Sequence, residues 1–266
     1  MSFGLATLLT LVALATSTLS AVTGVAGGVV LLSILLLTVP ARAVVPLHGA
    51  VQLAASASRI VVFWRHMRWR VVLGFGVASA LGAVAAAPVV SAMPARLMKG
   101  LVAGFILVSV ALMLRKPHAQ TSDDDKASAA DAIDSAPPPS RGRALLWLSS
   151  MGLASGFLGM LVGSTGPLVS QAFLYAGIVS EAHIASKSGC QAVVHALKIP
   201  VYGLGVRFQY GAYAPTIGAM SLASVVGTLV GRQLLSRLSQ ARFATITQLL
   251  LGAIAIKILV VDVMLA

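Results

Sequence analysis

Residues 3–39 read FGLATLLTLVALATSTLSAVTGVAGGVVLLSILLLTV, and residues 144–179 read ALLWLSSMGLASGFLGMLVGSTGPLVSQAFLYAGIV. Neither run holds a charged side chain. As one helix the first would reach ~55 Å at 1.5 Å per residue, against a bilayer hydrocarbon core of ~30 Å. Each run is interrupted near its middle, by Gly24-Val-Ala-Gly27-Gly28 in the first and by Gly163-Ser-Thr-Gly166-Pro167 in the second. Glycine and proline there free backbone groups that lipid cannot satisfy, so the broken chain must face protein or water. The expectation is a broken pair of half-helices in each run, either a re-entrant hairpin or two short tilted spans.

The rest of the chain agrees with a membrane setting. Of its 266 residues 58% are hydrophobic and 10% charged, where a soluble domain carries about 25% charged residues. So little polar surface excludes a water-soluble enzyme of usual design, and the same balance excludes a disordered chain. Further apolar runs cover roughly 43–64, 71–92, 97–114, 182–204, 211–231 and 243–261. Between 114 and 144 the sequence is charged and rich in Ala, Ser and Pro, which reads as a linker. The organisation is therefore a first membrane repeat at 1–114, a flexible cytoplasmic linker at 115–142 and a second membrane repeat at 143–266.

Charge is distributed unevenly. Lys and Arg number 19 against 7 Asp and Glu, a formal net charge of +12. Most cations lie at the ends of apolar runs, where they act as topology signals rather than as a nucleic-acid footprint. Five acids (Asp123, Asp124, Asp125, Asp131 and Asp134) fall in the linker, and Glu181 and Asp262 lie near segment ends. Apolar segments with cations and almost no carboxylates favour an anion as the thing bound or moved. The single Cys190 rules out an internal disulfide or a two-thiol relay and reads as a packing residue. The first twenty residues lack Lys and Arg, so this stretch reads as a retained first segment with its amino end outside the cytoplasm, not as a cleaved leader.

The two halves match. At a shift of 139 residues Gly24, Gly27 and Gly28 fall on Gly163, Gly166 and Pro167, Gln52 on Gln191, and Arg59 on Lys198. After a six-residue gap Ser79 and Gly82 fall on Ser224 and Gly227. Arg65, Arg68 and Arg70, the cations flanking the linker, and Arg232, Arg237 and Arg242 form three clusters. Putting all three in the cytoplasm requires each half to cross an odd number of times, which inverts one half relative to the other. The fold class expected is an all-α polytopic membrane protein of two inverted repeats. Each repeat has a glycine-broken helical hairpin plus three transmembrane helices.

After each broken run comes a polar stripe. His48, Gln52, Ser56 and Arg59 recur at i, i+4, i+8 and i+11, and Lys187, Gln191, His195 and Lys198 repeat that spacing. Such intervals keep four side chains on one helical face, which should turn to the bundle interior. Plainer readings stand beside this one. Arg59 and Lys198 could snorkel to headgroups as interfacial anchors, and Gln52 and Gln191 could serve as interhelical glue. The breaks are the second candidate, because a half-helix starting inside the membrane aims free N–H groups and a positive dipole end at its neighbour. Gly27 and Gly28 offer bare backbone there, as do Ser164, Thr165 and Gly166; close packing of small residues is the alternative. No motif for a metal, cofactor or acid–base pair occurs, so no enzyme is expected.

The segments EAHIASKSGCQAVVHALKIPVYG (181–203) and ASVVGTLVGRQLLSRLSQARF (223–243), with GVAGGVVLLSILLLTVPARAVVPLHGAVQ (24–52) and ASALGAVAAAPVVSAMPARLM (78–98) in the first half, resemble the TauE/SafE family of sulfite and organosulfur exporters. The resemblance covers nearly the whole chain apart from the linker. It implies a multi-pass inner-membrane carrier for small sulfur-containing anions, with the lipid bilayer as partner, no nucleic acid and a homodimer left open. On this reading the half-helix starts hold the anion's oxygens, Gln52 and Gln191 donate hydrogen bonds, and Lys187, Lys198 and Arg59 supply positive field. Export down the membrane potential needs no intramembrane carboxylate. The alternatives are a proton-coupled importer working through His48 or His195, and a non-transporting assembly subunit.

Overall fold

The computed structural model describes residues 1–23, 26–114, 141–178 and 180–234, and every element among them is helical. The apolar run at 243–261, with Arg237 and Arg242, lies outside the described residues, as does most of the linker. The first half forms α1 (Phe3–Thr23), α2 (Ala26–Thr38), α3 (Ala41–Phe63), α4 (Trp69–Ala92) and α5 (Ala95–Leu114). The second half forms α6 (Arg141–Val162), α7 (Gly166–Tyr175), α8 (Ser180–Pro200) and α9 (Ala214–Leu234). Among the described residues four helices are long and apolar enough to cross a membrane: Phe3–Ala21, Trp69–Ala92, Gly142–Val162 and Tyr210–Gly231.

Both long runs break, but not into the expected pair of half-helices: α1 and α6, of 21 and 22 residues, are long enough to cross, and only the second helix of each run is short. α6 stops at Val162, and Gly163 turns the chain at φ +83 before α7 opens at Gly166. That left-handed conformation is open to glycine and strained for other residues. α2 has 13 residues and α7 has 10, so they reach only ~20 Å and ~15 Å and cannot cross alone. α2 folds back on α1 tightly: a Cβ on Gly27 would stand 1.9 Å from the Thr16 carbonyl oxygen. α8 ends at Pro200 and passes into a π turn over Val201–Gly205, whose Tyr202 hydroxyl donates to the Met160 carbonyl of α6 at 2.6 Å.

Helix directions follow from the closest contacts. A Cβ on Gly152 would meet Phe75 and one on Gly156 would meet Ser79, so α4 and α6 run parallel. Gly227 meets Leu14 and Gly231 meets Thr18, so α1 and α9 run parallel as well. His48 faces His195 while Arg59 reaches Ser188, so α3 and α8 run antiparallel. The two seams use the same atoms: a Cβ on Gly82 would stand 2.1 Å from Leu153 O and 2.8 Å from Phe157 N, and one on Gly227 would stand 2.4 Å from Leu14 O and 3.1 Å from Thr18 N. Leu14 and Thr18 are the positions 139 residues before Leu153 and Phe157. Glycine is required at these crossings because the backbones touch, which is how membrane helices gain packing without a hydrophobic drive between them.

The apolar interior divides in two. One core gathers Leu9, Leu32, Leu47, Ile106 and Met220 from α1, α2, α3, α5 and α9. The other gathers Phe75, Met160, Phe173 and Val194 from α4, α6, α7 and α8, with Val45 of α3 and Met98 of α5 reaching into it. Each core therefore takes its fourth helix from the other half of the sequence: α9 completes the first core and α4 the second.

Candidate functional site

The polar stripes of α3 and α8 meet face to face between these two cores. Both helices present small or polar side chains at i, i+4 and i+8, so the pair can cross closely without a hydrophobic seal. Their antiparallel crossing encloses a cavity of about 40 Å³. At ~10–15 Å³ per water centre, that holds roughly three waters, or one small oxyanion.

Nine of the twelve residues singled out from sequence line this cavity. α3 contributes His48, Gln52 and Arg59, and α8 contributes Lys187, Gln191 and His195. Gly28 of α2 and Ser164 and Gly166 at the start of α7 complete the set. Gly28 and Gly166 belong to the first turns of α2 and α7, so the positive ends of two half-helices converge on one space. Among the described residues no carboxylate lines the cavity. Among the described residues no group of three or more His, Cys, Asp or Glu side chains gathers as a metal site would need.

The hydrogen bonds fix this geometry. His48 Nε2 donates to Gly28 O at 2.9 Å, fastening α3 to the first break. Gln191 Nε2 donates to Thr165 Oγ1 at 3.5 Å, a long contact across to the second break. Arg59 Nη2 donates to Ser56 Oγ at 3.2 Å and Nε to Ser188 Oγ at 3.3 Å, while its enclosed Nη1 has no hydrogen-bond partner among the described residues. The rings of His48 and His195 meet edge to face with centroids 5.6 Å apart.

Three singled-out residues stand just behind the wall. Gly27 is the contact that seats α2 on α1. Thr165, fully buried, supplies the carbonyl that accepts the first bond of α7 from Val169 N at 3.0 Å. Lys198 is fully buried, donates from Nζ to the Gly163 carbonyl, and lies 3.1 Å from His195 Nδ1. It therefore does not snorkel to a headgroup. Its stem lies across Gly49, where a Cβ would stand 2.7 Å from Lys198 Cδ. The cavity also has two lining residues outside that set, Ser56 and Ser20. Ser56 sits on the α3 stripe and so carried a signal. Ser20 is one hydroxyl in the Thr/Ser-rich end of α1, and nothing in its local pattern marks it.

The family model for the sulfite exporter TauE/SafE family matches residues 9–258, nearly the whole chain. The chain belongs to the TauE/SafE family. No curated protein and no solved structure matches it. As a TauE/SafE protein it is a multi-pass membrane protein of a transporter family, which accords with its apolar helices. The two halves of the chain contribute the two walls of one cavity.

Because Gly28 is part of the wall, a side chain there should close it. A Cβ would stand 2.9 Å from Gln52 Nε2, and the valine methyls would extend into the cavity. Gly28→Val is expected to cut anion flux about tenfold or more, at least ~1.4 kcal/mol, while the protein still elutes as a folded species in detergent. Wild-type flux from a well-folded Gly28→Val protein would show that the anion does not pass this cavity.

Proposed function

We propose that this chain is a secondary carrier that moves a small sulfur-containing anion, sulfite or an organosulfonate, outward across the cell inner membrane under the membrane potential. The observation that carries the reading is the cavity itself, with Arg59 and Lys187, two glutamine amides and two half-helix starts on its walls and no carboxylate among the described residues that line it. An SO3 group presents three acceptor oxygens and negative charge, which donors of this kind match. The volume suits that group alone; an organosulfonate would need its tail accommodated as the cavity opens.

The helix directions support two inverted repeats. Equivalent helices α3 and α8 are antiparallel across the cavity, and equivalent glycines make equivalent contacts in two separate seams. A two-fold axis perpendicular to such a pair lies in the membrane plane. The exchanged fourth helices also define the moving parts. Residues 1–114 and 143–266 cannot rock as sequence halves, since α4 is seamed to α6 and α1 to α9. The units that separate around the cavity are the two cores, each built from both halves.

Voltage provides the test. One net charge crossing 100 mV is worth ~2.3 kcal/mol, a limiting ratio of ~50-fold. Sulfite efflux from proteoliposomes should rise with an inside-negative potential and reverse when the potential is reversed. Flux that ignores voltage but follows a pH gradient would overturn this mechanism in favour of proton coupling through the His48–His195 pair.

A further inference from the structure

A second site lies on the outer face of the α4–α6 seam. There Gly82 and Ala85 of α4 and Leu153, Ala154, Phe157 and Leu158 of α6 line an apolar groove of about 370 Å³. The groove opens along helices that carry arginine and tryptophan at one end. Arg143 precedes Ser150 and Ala154 by seven and eleven residues, which keeps it on the same helical face, ~16 Å from the groove's middle. Arg70 precedes Val77, Leu81 and Ala85 by seven, eleven and fifteen residues on the matching face of α4. Because α4 and α6 are parallel, both arginines stand at the same end, and both are exposed. Trp69 and Trp147 are exposed beside them at 56% and 39%, and Trp147 leans on Tyr175 with ring centroids 5.3 Å apart.

We propose that this face is a binding site for an anionic phospholipid, with the phosphate held by Arg70 and Arg143 and one acyl chain laid in the groove. Three observations support that occupant. Neither α4 nor α6 carries a carboxylate, and the one acid in the described helices, Glu181, is on α8. The groove is apolar while its end is cationic and aromatic, the profile of a phospholipid at the interface. The repeat supplies an internal contrast: the equivalents of Arg143 and Arg70 on the α1–α9 seam are Gly4 and Pro215, so the cations belong to one seam and one membrane face. A second copy of the chain docking there in the same orientation would bring four arginines together, which disfavours a dimer contact.

The inference rests on the fold and is independent of the cargo. The full chain in detergent is offered equal dioleoyl phosphatidylglycerol and dioleoyl phosphatidylcholine, and bound lipid is read by native mass spectrometry. Phosphatidylglycerol should be retained in preference, by roughly thirtyfold for two surface arginines. Arg70→Gln with Arg143→Gln should bring the ratio near one, and both sites are exposed, so folding is not at stake. Ala154→Phe, which fills the groove, should lower retention of both lipids. Arg96→Gln with Lys99→Gln, at the opposite end, should leave the preference intact. Equal retention by the wild type, or a preference that survives loss of both arginines, would overturn the proposal. So would displacement of the lipid by free glycerol phosphate, because that would make the site one for a soluble anion.

Discussion

Lys187→Ala should lower sulfite flux by about thirtyfold or more, the equivalent of at least ~2 kcal/mol of lost anion stabilisation. Lys187 and Arg59 come from opposite ends of antiparallel helices and line the same cavity. Both present positive charge to that space, where an anion would feel it. Gln191→Ala removes a neutral donor and should cost less, ~5–10-fold. Normal flux in both variants, with normal membrane insertion, would remove the cavity from the transport route.

Gly156→Val should have a large effect on folding. A Cβ there would stand 2.0 Å from Ser79 O, with Ser79 Cα and C at 2.7 Å. Those are backbone atoms, so nothing flexible can give way and α4 must separate from α6. The seam also loses the hydrogen bond from Ser79 Oγ to the Gly152 carbonyl, 2.9 Å long. Overpacking of this kind costs ~1–3 kcal/mol or more, enough to convert most of the protein to aggregate on extraction. Gly218→Val is the control, since a Cβ at Gly218 meets nothing within 4 Å, and its midpoint should match the wild type. Equal behaviour of the two variants, followed by fluorescence-detected size exclusion across a temperature series, would show that the seam is not closely packed.

Much of this arrangement was legible in the sequence because it is local. The breaks at Gly24–Gly28 and Gly163–Pro167 are written in residue types that cannot continue a lipid-facing helix. The stripes His48–Arg59 and Lys187–Lys198 are written in a spacing that only one helical face satisfies. The partners of those faces were not legible. Nothing within α4 says that Gly82 meets Leu153, because the contact joins residues from different halves and depends on the whole bundle. The same limit separates Arg59 from Lys198. They hold equivalent positions, yet Arg59 lines the cavity while Lys198 turns aside to the Gly163 carbonyl, which lies within its reach only once α6 has been folded against α8. Ser20 escaped notice for a related reason: its hydroxyl gains meaning from the α2 backbone brought over it.

The exchange of α4 and α9 has a consequence for biogenesis. A ribosome that has delivered only residues 1–114 has inserted α4 with Ser79 and Gly82 bare to lipid, and the helix that covers them is not yet made. The nascent chain must wait, half-assembled, until α6 arrives to claim it. Severed into two polypeptides, the molecule should mature when both are synthesised together and be degraded when either is synthesised alone. On the inverted-repeat reading proposed above, an ancestor of half the length would have closed its interior by meeting a sibling inserted upside down.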